Sequence, residues 1–144
     1  MENAILNIWY CAKIKIYGDK NMLKTIVIGS PGAGKSTFAR KLRDVTGLPL
    51  YYLDMLWHKP DQTTISREMF DAQLNEILKK DRWIIDGNYQ RTLEMRLKAC
   101  DTVFLLDFPQ KQLPQIYQLL KKYQNEKQII ILKSREEAER YLQS

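Results

Sequence analysis

Residues 26–40 read IVIGSPGAGKSTFAR, and this stretch decides the fold. Apolar, β-branched residues open it, glycines and a proline follow, and good helix formers close it. The pattern therefore predicts a strand, a tight loop and a helix. Residues 29–36 match the pattern G-x-x-x-x-G-K-[ST] in full, in the strand-to-helix context that the pattern requires. The sequence thus predicts a phosphate-binding loop, or P-loop.

Each residue type in this loop has a chemical reason. Glycines let consecutive backbone N–H groups turn toward an anion, and the N-terminus of the following helix adds partial positive charge. Lys35 would reach the β and γ phosphates of ATP or GTP, and Ser36 would place its hydroxyl on Mg²⁺. A glycine-rich turn that serves only tight packing is the weaker alternative, because the match is complete. The predicted loop comprises Gly29, Ser30, Pro31, Gly32, Ala33, Gly34, Lys35 and Ser36.

Composition places the chain among soluble, one-domain proteins. Its 144 residues suffice for one sizeable core, and 44% hydrophobic with 28% charged residues is an ordinary globular balance. The net charge of +6 favours anionic partners, but Lys and Arg are spread along the chain, so DNA binding is only weakly supported. Cys11 and Cys100 lack metal or disulfide spacing, and no run approaches the ~18 apolar residues of a membrane span. We therefore expect a cytoplasmic protein with reduced thiols and no membrane partner.

From Met22 onward, apolar runs of strand length alternate with helical periodicities. This alternation predicts one α/β domain over residues 22–144 with a parallel sheet. Residues 1–21 form an added arm, an edge strand or a mis-assigned start, and the sequence leaves these three alternatives open. The predicted strands cover 24–28, 50–53, 83–85, 102–106 and 128–132. The predicted helices cover 34–45, a segment capped by Ser66, 89–99, a segment from Leu113 and a segment capped by Ser134, with a loop over 55–65.

Three acids end predicted strands: Asp54, Asp86 and Asp107. Ligands of open α/β sheets bind at the carboxyl ends of the strands, so all three acids could face the phosphates. Asp86 is the best candidate to hold Mg²⁺, because Ile84-Ile85-Asp86 has the hydrophobic-then-acid form of a Walker B strand. Asp54 would receive an acceptor hydroxyl or contact an acceptor base, whereas Asp107 need only terminate its strand. For each acid alone, a strand-end turn or helix cap is a fair alternative.

IIDGNYQRT at residues 84–92 resembles the DGFPR segment of adenylate kinases, with Asp86, Gly87 and Arg91 on matching positions. Together with GSPGAGKST and YYLD, this segment makes residues 22–107 resemble the adenylate-kinase-related DNA topology modulation protein (FlaR-like) family. The C-terminal segment is similar to that family's C-terminal end.

The resemblance implies a three-layer P-loop NTPase fold. Its five-stranded parallel sheet has the order 2-3-1-4-5, with helices on both faces. The resemblance also implies that Lys35, Asp86 and Arg91 serve catalysis, with Asp86 near Mg²⁺ and Arg91 on an acceptor phosphate. The implied phosphate site comprises Gly29, Gly34, Lys35, Ser36 and Thr37.

The region after the fourth strand departs from these kinases, which carry a basic lid with arginines there. Here the chain runs almost directly from Asp107 to Pro114, without an arginine-rich insertion. Lys111, Lys121 and Lys122 are poor substitutes for bidentate arginines. Either the protein lacks the lid or the sequence omits a segment, and we favour the first explanation. On that interpretation nucleotide binding survives better than phosphoryl transfer.

The leading functional hypothesis is an ATP- or GTP-binding P-loop kinase with a shortened lid. It would act with Mg²⁺ on a nucleotide or another small molecule, with Asp54 and Arg91 bounding the acceptor side. The alternative is a nucleotide-dependent regulatory module linked to DNA topology and without kinase activity, although no helix-turn-helix, zinc finger or basic stripe supports DNA contact. A third possibility is a degenerate remnant that folds and does little.

Overall fold

A parallel sheet forms the centre of the molecule. The computed structural model describes residues 22–30, 32–58, 63, 65–107 and 114–143. The strands within these residues are β1 (Lys24–Gly29), β2 (Leu50–Tyr52), β3 (Trp83–Asp86), β4 (Thr102–Leu106) and β5 (Gln128–Leu132). All pairings are parallel and the order is β2-β3-β1-β4-β5, which confirms the predicted architecture and strand order. The predicted arm over residues 1–21 lies outside the described residues, as do Pro31 and Lys111.

Helices connect the strands and cover the sheet. Those in the described residues are α1 (Lys35–Thr46), α2 (Leu53–Trp57), α3 (Arg67–Leu78), α4 (Leu93–Ala99), α5 (Pro114–Lys122) and α6 (Arg135–Gln143), with a 3₁₀ turn at Gln90–Thr92 before α4. Ser66 and Ser134 cap α3 and α6 as predicted. The Ser66 hydroxyl accepts a hydrogen bond from the Met69 N–H at 3.2 Å, and the Ser134 hydroxyl accepts one from the Glu137 N–H at 3.0 Å.

The alternation of side chains along β1 explains the three layers. Ile26 and Val27 are both fully buried, and they point to opposite faces of the sheet. Ile26 belongs to the core that α3, α4 and α5 complete. Val27 packs with Phe38 of α1 and Tyr141 of α6 on the other face. A parallel sheet buried on both faces leaves its strand ends as the accessible edge, and the predicted phosphate loop lies at that edge.

The segment after β2 differs from prediction. Leu53 was expected to end the strand and residues 55–65 to form a loop, yet Leu53–Trp57 is a short helix. The His58 N–H donates to the Asp54 carbonyl at 3.0 Å, which closes the turn. Leu53 is fully buried, and Leu56 and Trp57 pack against the same core. The i, i+3, i+4 spacing of these apolar residues therefore favours a helical turn over an extended chain.

The helix after β3 also differs from prediction. It was predicted to be regular from Tyr89, but it starts with a 3₁₀ turn. The Thr92 N–H donates to the Tyr89 carbonyl at 3.1 Å, an i+3 bond. The same carbonyl accepts a hydrogen bond from Arg96 at 2.8 Å. Because the Tyr89 carbonyl is occupied by Thr92 and Arg96, the regular helix begins at Leu93.

The described part of the chain offers neither a membrane-crossing helix nor an accessible thiol. None of its helices combines the length and the apolarity needed to cross a membrane. Cys100 is 1% exposed and belongs to the core that contains Ile26. Burial raises the pKa of its thiol to about 12, so it stays protonated and unreactive at neutral pH. Cys11 lies outside the described residues.

Candidate active site

The phosphate loop leaves the end of β1 and turns directly into α1. Gly32 and Gly34 have φ angles of 81° and 80°, a left-handed conformation that other residues seldom adopt. No described side chain caps α1 at Gly34, and the first turn of α1 contains no acidic residue. No acidic residue of its own first turn neutralises the partial positive charge of this helix N-terminus, which favours an anion in front of Lys35.

Asn88, which follows β3, fixes the start of the loop. Its Oδ1 accepts a hydrogen bond from the Gly29 N–H at 3.0 Å, and its Nδ2 donates to the Gly29 carbonyl at 2.7 Å. A Cβ atom on Gly29 would lie only 2.3 Å from the Leu106 carbonyl oxygen, so glycine alone permits this close approach of β1 to β4. The phosphate loop and the segment after β3 are thereby held together.

Ser36 and Asp86 meet beside the loop. The Ser36 hydroxyl donates a hydrogen bond to Asp86 Oδ2 at 2.9 Å. Asp86 is 5% exposed, and its other oxygen, Oδ1, is buried without a hydrogen-bond partner among the described residues. A hydroxyl next to a carboxylate with an unused oxygen is a donor set that fits Mg²⁺, which prefers oxygen ligands and retains water. The structure thus brings together the two residues that were predicted to hold this ion.

Burial of Asp86 leads to a first prediction. It raises the pKa of this carboxyl above its ordinary value, although the Ser36 hydrogen bond and the charge of Lys35 act in the opposite direction. The folded state then binds more protons than the unfolded state, so ionisation of Asp86 lowers the free energy of unfolding as pH rises through its folded pKa. We expect Asp86→Asn to raise the Tm of the metal-free protein at pH 7, because asparagine has nearly the same shape without the charge that burial penalises.

Thermal unfolding of both proteins in EDTA between pH 3 and pH 8 checks this expectation. The difference in Tm should shrink as the pH falls through the range in which Asp86 becomes protonated, because the wild-type side chain is then neutral as well. Equal Tm values at pH 7, or a gap that grows toward low pH, would contradict it.

A cleft of about 620 Å³ opens in front of the Ser36–Asp86 pair. This volume lies within the usual range of sites for cofactors and small molecules. Lys35 and Arg40 are the cations of its described lining, and Asp54 and Asp86 are the acids. The cleft therefore presents charges of both signs around one space, next to the phosphate loop.

Asp54 lies on the cleft wall in the first turn of α2. The Tyr89 hydroxyl donates a hydrogen bond to Asp54 Oδ1. Burial and this hydrogen bond raise the pKa of Tyr89 to about 12. Tyr89 consequently remains a protonated donor at neutral pH and holds the Asp54 carboxylate in place.

Two other residues singled out in the sequence lie outside the cleft lining. Arg91 donates to both carboxylate oxygens of Asp71 on α3, at 3.0 Å and 2.8 Å. Asp107 is buried, and it accepts a hydrogen bond from the Tyr117 hydroxyl at 2.7 Å. To reach an acceptor phosphate, Arg91 must exchange Asp71 for the ligand, so its role there stays a prediction.

Arg96 is a supporting residue that the sequence patterns did not reveal. Its side chain is fully buried, and it donates hydrogen bonds at 2.8 to 3.2 Å to the carbonyls of residues 87–89, which line the cleft. Burial lowers the pKa of Arg96 to about 10, so it is still charged at neutral pH. An arginine on a helix is usually exposed, so the sequence indicates the burial of Arg96 only weakly.

The sequence patterns also did not reveal Arg40 and Asn88, although the position of Arg40 could have been predicted. Arg40 follows Ser36 by four residues, so both occupy the same face of α1. The hydrogen bond between Asn88 and Gly29 joins residues that are 59 apart in sequence, so no local pattern predicts it.

Comparison with known proteins gives distant relatives. No family model matches the sequence. Adenylate kinases from Thermotoga maritima and Thermotoga neapolitana are each 27% identical over 88 residues, covering 60% of this chain and 39% of theirs. The chain thus spans about two fifths of the length of the curated relatives that it matches.

Solved structures give a broader match in shape. Shikimate kinase from Aquifex aeolicus superposes with a TM-score of 0.55 at 18% identity, covering 83% of this chain and 91% of that one. Shikimate kinase from Acinetobacter baumannii, solved with shikimate, has the same TM-score and identity over 92% of this chain and 93% of that one. At this identity the likeness is one of fold. With its strand order, its helices on both faces and its glycine-rich loop before α1, the chain has a kinase-like P-loop fold.

Proposed function

We propose that this protein binds Mg²⁺ with ATP or GTP and transfers the terminal phosphoryl group to a small-molecule acceptor. The observation that carries the proposal is the Ser36–Asp86 contact of 2.9 Å beside Lys35, at a cleft of about 620 Å³. The similarity to adenylate kinases and the shikimate-kinase-like fold support a kinase over other P-loop functions.

Each group in the cleft has a defined part in this proposal. Lys35 and the N-terminal amides of α1 would bind the nucleotide phosphates. Ser36 and Asp86 would hold Mg²⁺, which supplies charge neutralisation on the phosphate oxygens when it is bound. Asp54 would face the acceptor. Arg91, which lies outside the cleft lining, would contact an acceptor only where that acceptor carries a phosphate group and Arg91 leaves Asp71. Catalysis of this kind depends on positioning and electrostatics more than on a covalent intermediate.

A second candidate is nucleotide binding without transfer. The observation in its favour is that Arg40 is the one arginine in the described cleft lining, and only residues 107–113 separate β4 from α5. Phosphoryl transfer usually needs several cations on the moving phosphate. The motifs that resemble the DNA topology modulation family would make such a module a regulator, and DNA binding with a steep salt dependence would support that role.

Calorimetry and turnover measurements separate the two candidates. We expect Mg-ATP or Mg-GTP to bind with a Kd in the micromolar range, about −8 kcal/mol, and we expect ADP or GDP release to increase when an acceptor is added. Tight binding without acceptor-stimulated release would favour the binding module. Absence of nucleotide binding in the presence of Mg²⁺ would contradict both.

A further inference from the structure

The charges of the cleft can be divided between two ligands. On the proposed function, on which this inference rests, Lys35, Ser36 and Asp86 serve the nucleotide and its metal ion. Two charged residues of the described lining then remain, the acid Asp54 and the cation Arg40. The acceptor must therefore bind to the carboxylate of Asp54 and to the guanidinium of Arg40.

Arg40 is positioned to receive a ligand. It lies one helical turn beyond Ser36 on α1, its side chain is exposed, and it lines the cleft. Its hydrogen bond to the Thr37 hydroxyl is long, at 3.3 Å, and no described carboxylate lies within salt-bridge distance of it. A guanidinium with five N–H donors matches a carboxylate or phosphate group bidentately.

The other basic residues in the middle of α1 contrast with Arg40. Lys41 forms a salt bridge with Glu139 of α6, and Arg43 forms one with Asp44. Both pairs lie on the surface, and neither residue lines the cleft. Among these three cations, Arg40 is therefore the one that lines the cleft and forms no salt bridge with a described residue, although its charge acts on Asp86.

Asp54 decides which atom of the acceptor reacts. A carboxylate held in place by the Tyr89 hydroxyl repels a phosphate nucleophile, which carries charge of the same sign. It attracts a hydroxyl group, whose proton it can accept. The Asp54 carboxylate therefore disfavours a nucleoside monophosphate as acceptor and favours an alcohol.

We infer that the acceptor is a small hydroxylated anion, with its reacting hydroxyl on Asp54 and its anionic group on Arg40. The hydroxyl oxygen forms a bond to the γ-phosphorus, and the bond between that phosphorus and the β,γ-bridging oxygen breaks. The hydroxyl proton passes to Asp54, and the nucleoside diphosphate leaves with the bridging oxygen. Arg40 selects the acceptor by its charge and takes no part in the bond changes.

The test uses matched pairs of probes that differ in charge. Binding of Mg²⁺ with a non-hydrolysable ATP analogue is measured first by calorimetry, and then phosphorylation of glycerate against glycerol and of gluconate against glucose, with glycerol 3-phosphate, AMP and CMP as further probes. We expect at least one of the hydroxylated anions to exceed its neutral partner in kcat/KM by about 10- to 100-fold, the range for a charge-assisted contact.

Two variants assign the roles. Arg40→Gln should raise the KM for the anionic acceptor about 10- to 100-fold, with unchanged kcat and unchanged affinity for the ATP analogue, whereas the matched control Arg43→Gln should change none of them. Asp54→Asn should lower kcat about 100-fold or more and leave that KM unchanged.

The outcomes are distinguishable. If the ATP analogue binds but AMP, CMP or a neutral alcohol is the preferred acceptor, or no hydroxylated anion is phosphorylated, the inference is wrong while nucleotide binding stands. An equal effect of Arg40→Gln on glycerol and glycerate would also overturn it. Failure of the analogue to bind would instead refute the proposed function itself.

Discussion

Replacing Lys35 with alanine should weaken Mg-ATP binding by about 100-fold and leave the protein folded. The side chain lies next to the uncapped N-terminus of α1 and lines the cleft, where it would contact the β and γ phosphates. A hydrogen bond to a charged group contributes about 1.5–3 kcal/mol, and about 1.4 kcal/mol changes an equilibrium constant tenfold. The fold should persist because Lys35 is only half-buried and belongs to neither apolar core.

Calorimetric titration with Mg-ATP, together with the Tm of each variant, provides the measurement. Lys79→Ala is the matched control, because Lys79 is an exposed lysine at the end of α3 whose ion pair with Glu76 is on the surface. It should bind nucleotide as the wild type does. Unchanged affinity in Lys35→Ala would mean that the nucleotide site lies elsewhere, and loss of the fold would mean that Lys35 has a structural role.

Arg96→Met should reduce the free energy of unfolding by about 3–5 kcal/mol, because several buried hydrogen bonds are lost together. The substitution keeps an unbranched apolar stem, but it removes the donors that hold the carbonyls of residues 87–89. A buried acceptor without its partner costs about 1–3 kcal/mol. Since these residues line the cleft and include Asn88, which holds Gly29, nucleotide affinity should fall as well.

Urea denaturation of the wild type and the variant measures the difference. Lys98→Met is the control on the same helix, because Lys98 is exposed and its change should stay within about 0.5 kcal/mol. A loss below 1 kcal/mol in Arg96→Met would show that water replaces the guanidinium at these carbonyls.

The fold followed from patterns that are local in sequence. Strand-length apolar runs, serine caps and one glycine-rich turn predicted the sheet, the helices and the phosphate loop, because each of these depends on neighbouring residues. The errors fell at Leu53–Trp57 and Gln90–Thr92, where contacts with the core and with Arg96 determine the backbone conformation. The strand order came from the resemblance to known kinases, and the structure confirms it.

The sequence by itself determined the P-loop, with Lys35 and Ser36 at its end, because the spacing of that motif fixes their positions along one turn of chain. The tertiary structure alone decided which distant groups face them. It placed Asp86 against Ser36 and Asp54 on the cleft wall, left Asp107 and Arg91 outside the cleft lining, and added Arg40 and Asn88. The physical reason is that strand ends can direct an acid toward the cleft or into a buried contact, and only the packing of helices across the sheet distinguishes the two.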